Sequence, residues 1–216
     1  MAARSKIVDL RNLLAERFPQ PQAPQPARLA TGLLTLDRAT NGGLPKGAIT
    51  ELTSPHPSAG SALLISHLLQ AAQKERYFLA LIDGRDSFDP QPLGNSALSH
   101  LLWVRCTKTL EAIKVADLLL RDGNFPLVVL DLVLNAADEL RKIPQTSWYR
   151  LQRLAEPVPT AFLVLTRRSI ISSAQLKLVL ENTWTLRDLQ ADNNYARLNI
   201  RVQRVHGGRQ DIAETG

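Results

Sequence analysis

Leu127-Val-Val-Leu-Asp131 is a continuous apolar run closed by a carboxylate, and it limits the fold more than any other stretch. A strand that alternates apolar and polar residues keeps one face wet. A strand apolar at every position must be covered on both faces, as in a parallel sheet between helical layers. Other segments fit the same plan. Ala48–Thr53, 77–83, Leu101–Arg105 and 160–166 read as short buried strands, and 61–73, 110–121, 147–155 and 173–180 as helices. Strands alternating with helices predict an α/β core whose sheet is mostly parallel, flanked by helices. Near the end, Leu198, Ile200 and Val202 alternate with Arg197, Asn199, Arg201 and Gln203, and the turn-forming 190–194 separates 183–187 from 195–205. That pattern predicts a C-terminal antiparallel hairpin with one buried and one basic face.

The 216 residues suffice for one well-buried core with small appendages. Residues 1–18 read as an amphipathic helix, with Ile7, Leu10, Leu14 and Phe18 recurring at helical spacing. Alternating prolines make 19–27 an extended, semi-rigid tether. The core is expected over 28–206 and a loose tail over 207–216. A sticky helix on a stiff leash suits docking on a neighbouring molecule as well as folding back on its own core. There is no apolar run of 18 residues, so neither a spanning helix nor a signal peptide is expected, and a cytoplasmic, membrane-free protein is.

Cys106 is the lone cysteine, which excludes an intramolecular disulfide; it reads as a small buried hydrophobe at a strand end. His56, His67, His100 and His206 have no ligand-like spacing, and no metal or cofactor is expected. The Asp138-Glu139 pair reads as the start of a solvated helical face. A net charge of +6 suits contact with nucleic acid or an acidic partner.

Three pieces stand in a telling order: Thr31-Gly-Leu-Leu-Thr-Leu-Asp37, then Gly42-Gly-Leu-Pro-Lys-Gly47, then Ile49-Thr-Glu-Leu52. Together with Leu81-Ile-Asp83, Phe88-Asp-Pro90 and Val128-Val-Leu-Asp131, this run resembles RecA and its relatives. The resemblance implies a RecA-like core, in which the same run leads directly into an ATP-binding loop. Such a loop needs glycines so that consecutive N–H groups can surround phosphate, a lysine for the β/γ charge, and a Ser or Thr hydroxyl on Mg²⁺. Here it reads Ser54, Pro55, His56, Pro57, Ser58, Ala59, Gly60, Ser61. Ser54 and Ala59 stand where the family has glycines, and Gly60 where it has lysine; Ser61 alone keeps its hydroxyl. Pro57 also removes an N–H.

The family's catalytic glutamate lies two residues after the aspartate of its Ile-Asp strand end, a position held here by Arg85. Asp131 matches the Mg²⁺-side aspartate, with a structural role at a strand end expected in its place. The resemblance therefore implies a pseudo-ATPase, without catalytic residues. Its DNA-binding loops, after the strand ending in Asp131 and after the next strand, are abridged. What remains basic is Arg167 and Arg168, with Arg197, Arg201 and Arg204 on the hairpin face and Arg209 beyond; these could meet the phosphates of single-stranded DNA, and Trp148-Tyr149 could stack on bases.

Among small RecA-like chains without a competent ATP site, the opening motifs are most similar to ImuA-type accessory proteins of damage-induced mutagenesis. That likeness implies RecA or a Y-family-like polymerase subunit as partner, with self-association through the N-terminal helix. The alternatives are a SulA-like division inhibitor, a cap on RecA filament ends, and an ATPase using an unconventional lysine such as Lys46 or one from a neighbour.

Overall fold

A computed structural model describes residues 27–56, 59–91, 93–183 and 198–205. In its main sheet β3 (Ala48–Thr53) lies parallel to β7 (Ala161–Thr166), the central strand, on one side and to β8 (Leu176–Leu180) on the other. With β4 (Leu79–Asp83), β5 (Leu101–Arg105), β6 (Leu127–Asp131) and β9 (Ile200–Val205), the seven strands run in the order β5-β4-β6-β7-β3-β8-β9. Every described pairing in this sheet is parallel except β8 with β9. A two-residue pairing of β1 (Arg28–Leu29) with β2 (Leu44–Pro45) forms a separate small sheet.

The apolar runs are unbroken because successive side chains serve opposite layers. Leu79, Leu81, Leu127, Val129, Leu163 and Leu165 pack with the buried face of α2 (Ser61–Lys74). Ala80, Ile82, Val128, Leu130, Phe162 and Val164 pack on the other side. There they meet α4 (Thr109–Asp122), α5 (Ala137–Arg141) and α6 (Gln145–Ala155). The short α1 (Leu34–Ala39) and α3 (Asn95–Leu98) complete the α2 layer. Each fully buried Leu, Val or Phe removes enough apolar surface from water to contribute about 1.5–3 kcal/mol.

The motifs of the opening stretch build this fold. The Asp37 carboxylate accepts bonds from Thr31 N (2.9 Å), Thr31 Oγ1 (2.7 Å) and Gly32 N (3.0 Å), which staples α1 to the turn before it. Gly43 has φ 116°, and a Cβ there would stand 2.0 Å from Leu29 O, so the β1–β2 pairing admits no side chain at that position.

The α/β class and the C-terminal antiparallel pairing are as the sequence predicts, but two assignments change. Residues 173–180, expected as a helix, contain strand β8, which pairs antiparallel with β9; of the strand expected at 183–187, residues 184–187 lie outside the described residues. Leu176, Leu178 and Leu180 alternate with Lys177 and Val179 in burial, the two-residue period of a strand. The N-terminal helix with Ile7, Leu10, Leu14 and Phe18, the tether up to 26, residues 184–197 and the tail lie outside the described residues. Among the described residues no helix is long and apolar enough to cross a membrane.

Candidate functional site

The carboxyl ends of β3, β4, β6 and β7 lie along one edge of the sheet, where an open α/β sheet places its ligands. The β3–α2 loop, 54–61, leaves this edge at β3, next to the end of β7. Ser54 N donates to Thr166 O (2.7 Å), Ser54 Oγ to His56 O (3.3 Å), and Ala59 N also to His56 O (3.1 Å). The Ala59 methyl is wholly buried in the α2-side core. Pro55 has no N–H; Pro57, which also lacks one, and Ser58 lie outside the described residues. The loop thus spends two N–H groups on its own chain or the neighbouring strand, where a phosphate cradle turns them toward the ligand. Gly60 caps α2 at φ 99°, and Ser61 is the first helical residue.

Asp83 and Asp131 are register partners at the ends of β4 and β6. The Asp83 carboxylate is a turn cap, accepting from Ser87 N (2.8 Å), Phe88 N (2.8 Å) and Arg85 N (3.2 Å). Asp131 accepts from Val133 N (2.9 Å). Burial pushes its carboxyl up to about 6; the Val133 N–H opposes that rise and the neighbouring Asp83 charge adds to it.

The residue at the glutamate position, Arg85, faces Glu139 on α5 at 3.9 Å. Glu139 also accepts from Thr109 Oγ1 (2.8 Å), so it is a tie between α5 and α4 rather than part of a solvated face; Asp138 is exposed. Asn135 completes the tie by donating to Gly84 O (2.9 Å) and Thr109 Oγ1 (2.8 Å). A Cβ on Gly84 would stand 2.7 Å from Asn135 Oδ1 and from Asp131 O. A guanidinium therefore occupies the region where a water-orienting carboxylate would be required, and it is paired.

The basic groups divide. Arg167 and Arg168 are exposed just past β7, and neither hydrogen-bonds nor ion-pairs with another described residue. The segment carrying them is pinned from below. Glu51, buried in mid-sheet, accepts from Ile170 N (2.6 Å), Ile171 N (3.1 Å) and Ser169 Oγ (2.8 Å), and pairs with Lys177 Nζ at 3.1 Å. Gln145 of α6 adds a bond to Ile170 O (3.0 Å) and accepts one from Ser172 Oγ (2.9 Å).

Arg201 is paired with Glu181. Strict alternation would send Arg201 and Arg204 to opposite faces. A bulge opposite Lys177 and Leu178 inserts Gln203 and returns Arg204 to the side of Arg201. The register puts Arg201 in the row of Val179, Thr53 and Thr166, three strands from Arg167, or about 14 Å. The arginines are therefore two stations along one edge, not a single patch; Arg197 and Arg209 lie outside the described residues.

Trp148 is 1% exposed and belongs to the core, which removes it as a base-stacking residue; Tyr149 beside it is 52% exposed. Lys46 precedes β3, at the end of that strand opposite the 54–61 loop, so it cannot serve that loop within one chain. Cys106 is buried directly after β5, and burial pushes its thiol up. Among the described residues no group of His, Cys, Asp and Glu could hold a metal ion. Sequence reasoning missed Glu51 and Asn135. A lone carboxylate inside an apolar strand was the available signal for Glu51; nothing local marked Asn135.

Comparison with known proteins places these features in context. A family profile described as RecA N-terminal domain matches residues 19–141. The chain is 35% identical over 109 residues to a protein RecA of Chlorobium chlorochromatii, covering 49% of this chain and 30% of that protein. It is 38% identical over 110 residues to a protein RecA of Dichelobacter nodosus, covering 49% and 31%. A protein RecA of Rhodospirillum rubrum is 38% identical over 109 residues, covering 49% and 29%. The matched stretch thus spans less than a third of each relative.

Proposed function

The chain belongs to the RecA N-terminal domain family, and from that premise we propose that it is a non-catalytic, ImuA-type accessory protein of the bacterial DNA-damage response. One observation carries the reading. The loop that would hold ATP has a buried methyl at Ala59, no lysine at Gly60, and amides committed to His56 O and Thr166 O. Missing positive charge and missing donors fail the ligand independently. Arg85, paired with Glu139, supplies no general base at the family's glutamate position.

A RecA-type scaffold without turnover acts through what it binds. In this reading the partners are RecA or a Y-family-like polymerase subunit, with single-stranded DNA contacted weakly through Arg167 and Arg168 and self-association through Ile7, Leu10, Leu14 and Phe18. The test is binary: purified full chain is titrated with RecA, with the polymerase subunit and with ATP. Binding to either protein without nucleotide affinity supports the adaptor. Tight ATP binding with phosphate release would sink it.

A further inference from the structure

A cavity of about 70 Å³ lies between the β1–β2 sheet, the end of α1 and the start of β8. Its one formal charge is the Arg28 guanidinium, and no acidic residue is among the described residues that line it. Arg28 Nη1 donates to Gly43 O (3.1 Å). Its Nε is buried without a hydrogen-bond partner, and Nη2 bonds to no other described residue. A buried charged donor that lacks an acceptor is costly, so this edge of the guanidinium is left unfinished by the fold. Two more donors face the same space, because the side-chain amides of Asn41 and Gln175 line it and bond to no other described residue. The backbone N–H groups nearby are spent. Gly42 N donates to Asp37 O (2.7 Å), Gly43 N to Thr40 Oγ1 (3.1 Å) and Gln175 N to Ile49 O (3.0 Å). The Thr40 hydroxyl itself donates to Leu36 O (2.7 Å). Pro45 and Leu176, both buried, give the cavity an apolar wall.

We infer that this cavity is a binding site for a single carboxylate on a short aliphatic stem. Nε and Nη2 lie on one side of the planar guanidinium and offer two parallel N–H groups, the fork that a carboxylate accepts with both oxygens. Nη1 keeps its bond to Gly43 O throughout, so binding breaks nothing in the β1–β2 sheet. The charge selects the ligand class. One guanidinium balances a monoanion, whereas a phosphate dianion needs the backbone N–H groups that are already committed here. The size agrees, since the space holds a few waters or one small oxyanion, too little for a nucleotide. The apolar wall of Pro45 and Leu176 suits the methylenes of the stem. The cavity sits toward the amino ends of β3 and β8, whereas the 54–61 loop leaves the carboxyl end of β3. The inference therefore depends neither on the nucleotide loop nor on the adaptor reading.

The probes are sodium acetate, a glutamate capped at both backbone ends, and inorganic phosphate. Each is titrated into the full chain at constant ionic strength while NMR follows the arginine side-chain N–H groups. Acetate and the capped glutamate should shift the Arg28 Nε–H resonance saturably, with dissociation constants in the millimolar range, and phosphate should bind about tenfold more weakly. The two carboxylates separate the sources: tighter binding of the capped glutamate points to a protein side chain, tighter binding of acetate to a free small acid, and either result supports the site. Arg28→Lys keeps the charge but not the fork and should weaken acetate about tenfold. Because Arg28 also ties β1 to β2, Gln175→Glu gives an independent reading. It places a carboxylate in the cavity from within, so the melting temperature should rise and the acetate response should vanish. No saturable shift at Arg28, phosphate binding tighter than either carboxylate, or undiminished acetate binding in Arg28→Lys overturns the inference. So does a Gln175→Glu chain that melts lower than the parent or still binds acetate.

Discussion

Lys177 Nζ lies 3.1 Å from Glu51 Oε2, an ion pair between β8 and β3 whose carboxylate is fully buried. The same carboxylate holds Ile170 N, Ile171 N and Ser169 Oγ, so one side chain fixes both a strand pairing and the loop that presents Arg167 and Arg168. Losing it strands a largely buried ammonium and two amides. Glu51→Ala is expected to cost about 3 kcal/mol in urea unfolding. Lys177→Met should cost less, since the carboxylate keeps three donors. Glu51→Gln should speed hydrogen exchange at Ile170 and Ile171 well before global unfolding; equal exchange there would show that the loop is held by Gln145 alone.

The nucleotide loop gives the second expectation. Steady-state phosphate release should be absent with and without single-stranded DNA. Gly60→Lys should not restore ATP binding. Gly60 sits at φ 99°, where a side chain costs on the order of 1–2 kcal/mol, and Ala59 still fills the core beside it. DNA-stimulated turnover abolished by Lys46→Ala would defeat the pseudo-ATPase reading, and it would require the lysine to act on a neighbouring copy's loop.

Asp131 predicts a pH dependence. Its folded pKa of about 6 lies above the ordinary 3.8, so the protonated carboxyl prefers the folded state. That preference is fully present below about pH 4 and is lost as the pH rises through about 6. Asp131→Asn keeps an acceptor for Val133 N and removes the loss. The variant should gain roughly 3 kcal/mol at pH 7.5, because the shift from 3.8 to about 6 is about two pH units at about 1.36 kcal/mol each, and it should gain little at pH 4. Parallel stability curves for the two proteins across that range would contradict a raised Asp131.

How far the sequence spoke for itself depended on the range of the interactions. Ala48–Thr53 was legible because an apolar run between turn residues has few other homes, and Leu198, Ile200 and Val202 because their period is two. β8 was legible in principle, since Leu176, Leu178 and Leu180 share that period, yet the short apolar run also passes for a helical turn. Trp148 and Tyr149 are adjacent residues on a helix, where a 3.6-residue period sends one inward and one outward, and only packing against α4 and the sheet decides which. The Arg201–Arg204 relationship needed the bulge at Gln203, a feature of strand pairing with no local signature. Glu51 meets its loop 118–120 residues later, beyond any windowed pattern.

Nucleic-acid contact follows from the two arginine stations. Arg167 and Arg168 carry no ion pair among the described residues and ride on a pinned loop, whereas Arg201 must give up Glu181 before it can meet a phosphate. Binding to a labelled single strand should therefore be weak, indifferent to sequence and led by the first pair. Each phosphate neutralised contributes about −0.7 to the slope of log affinity against log salt on a single strand. Two contacts give about −1.4, and recruitment of Arg201 and Arg204 would take it to about −2.8. Arg167→Gln with Arg168→Gln should flatten the slope to near zero in a fluorescence-anisotropy salt series. Arg201→Gln should barely change it and should leave Glu181 without its partner. A slope near −2.8 that falls by half in Arg167→Gln with Arg168→Gln, and likewise in Arg201→Gln with Arg204→Gln, would instead make the two stations, about 14 Å apart, one track for the strand. No binding at low salt would leave the chain a protein adaptor alone.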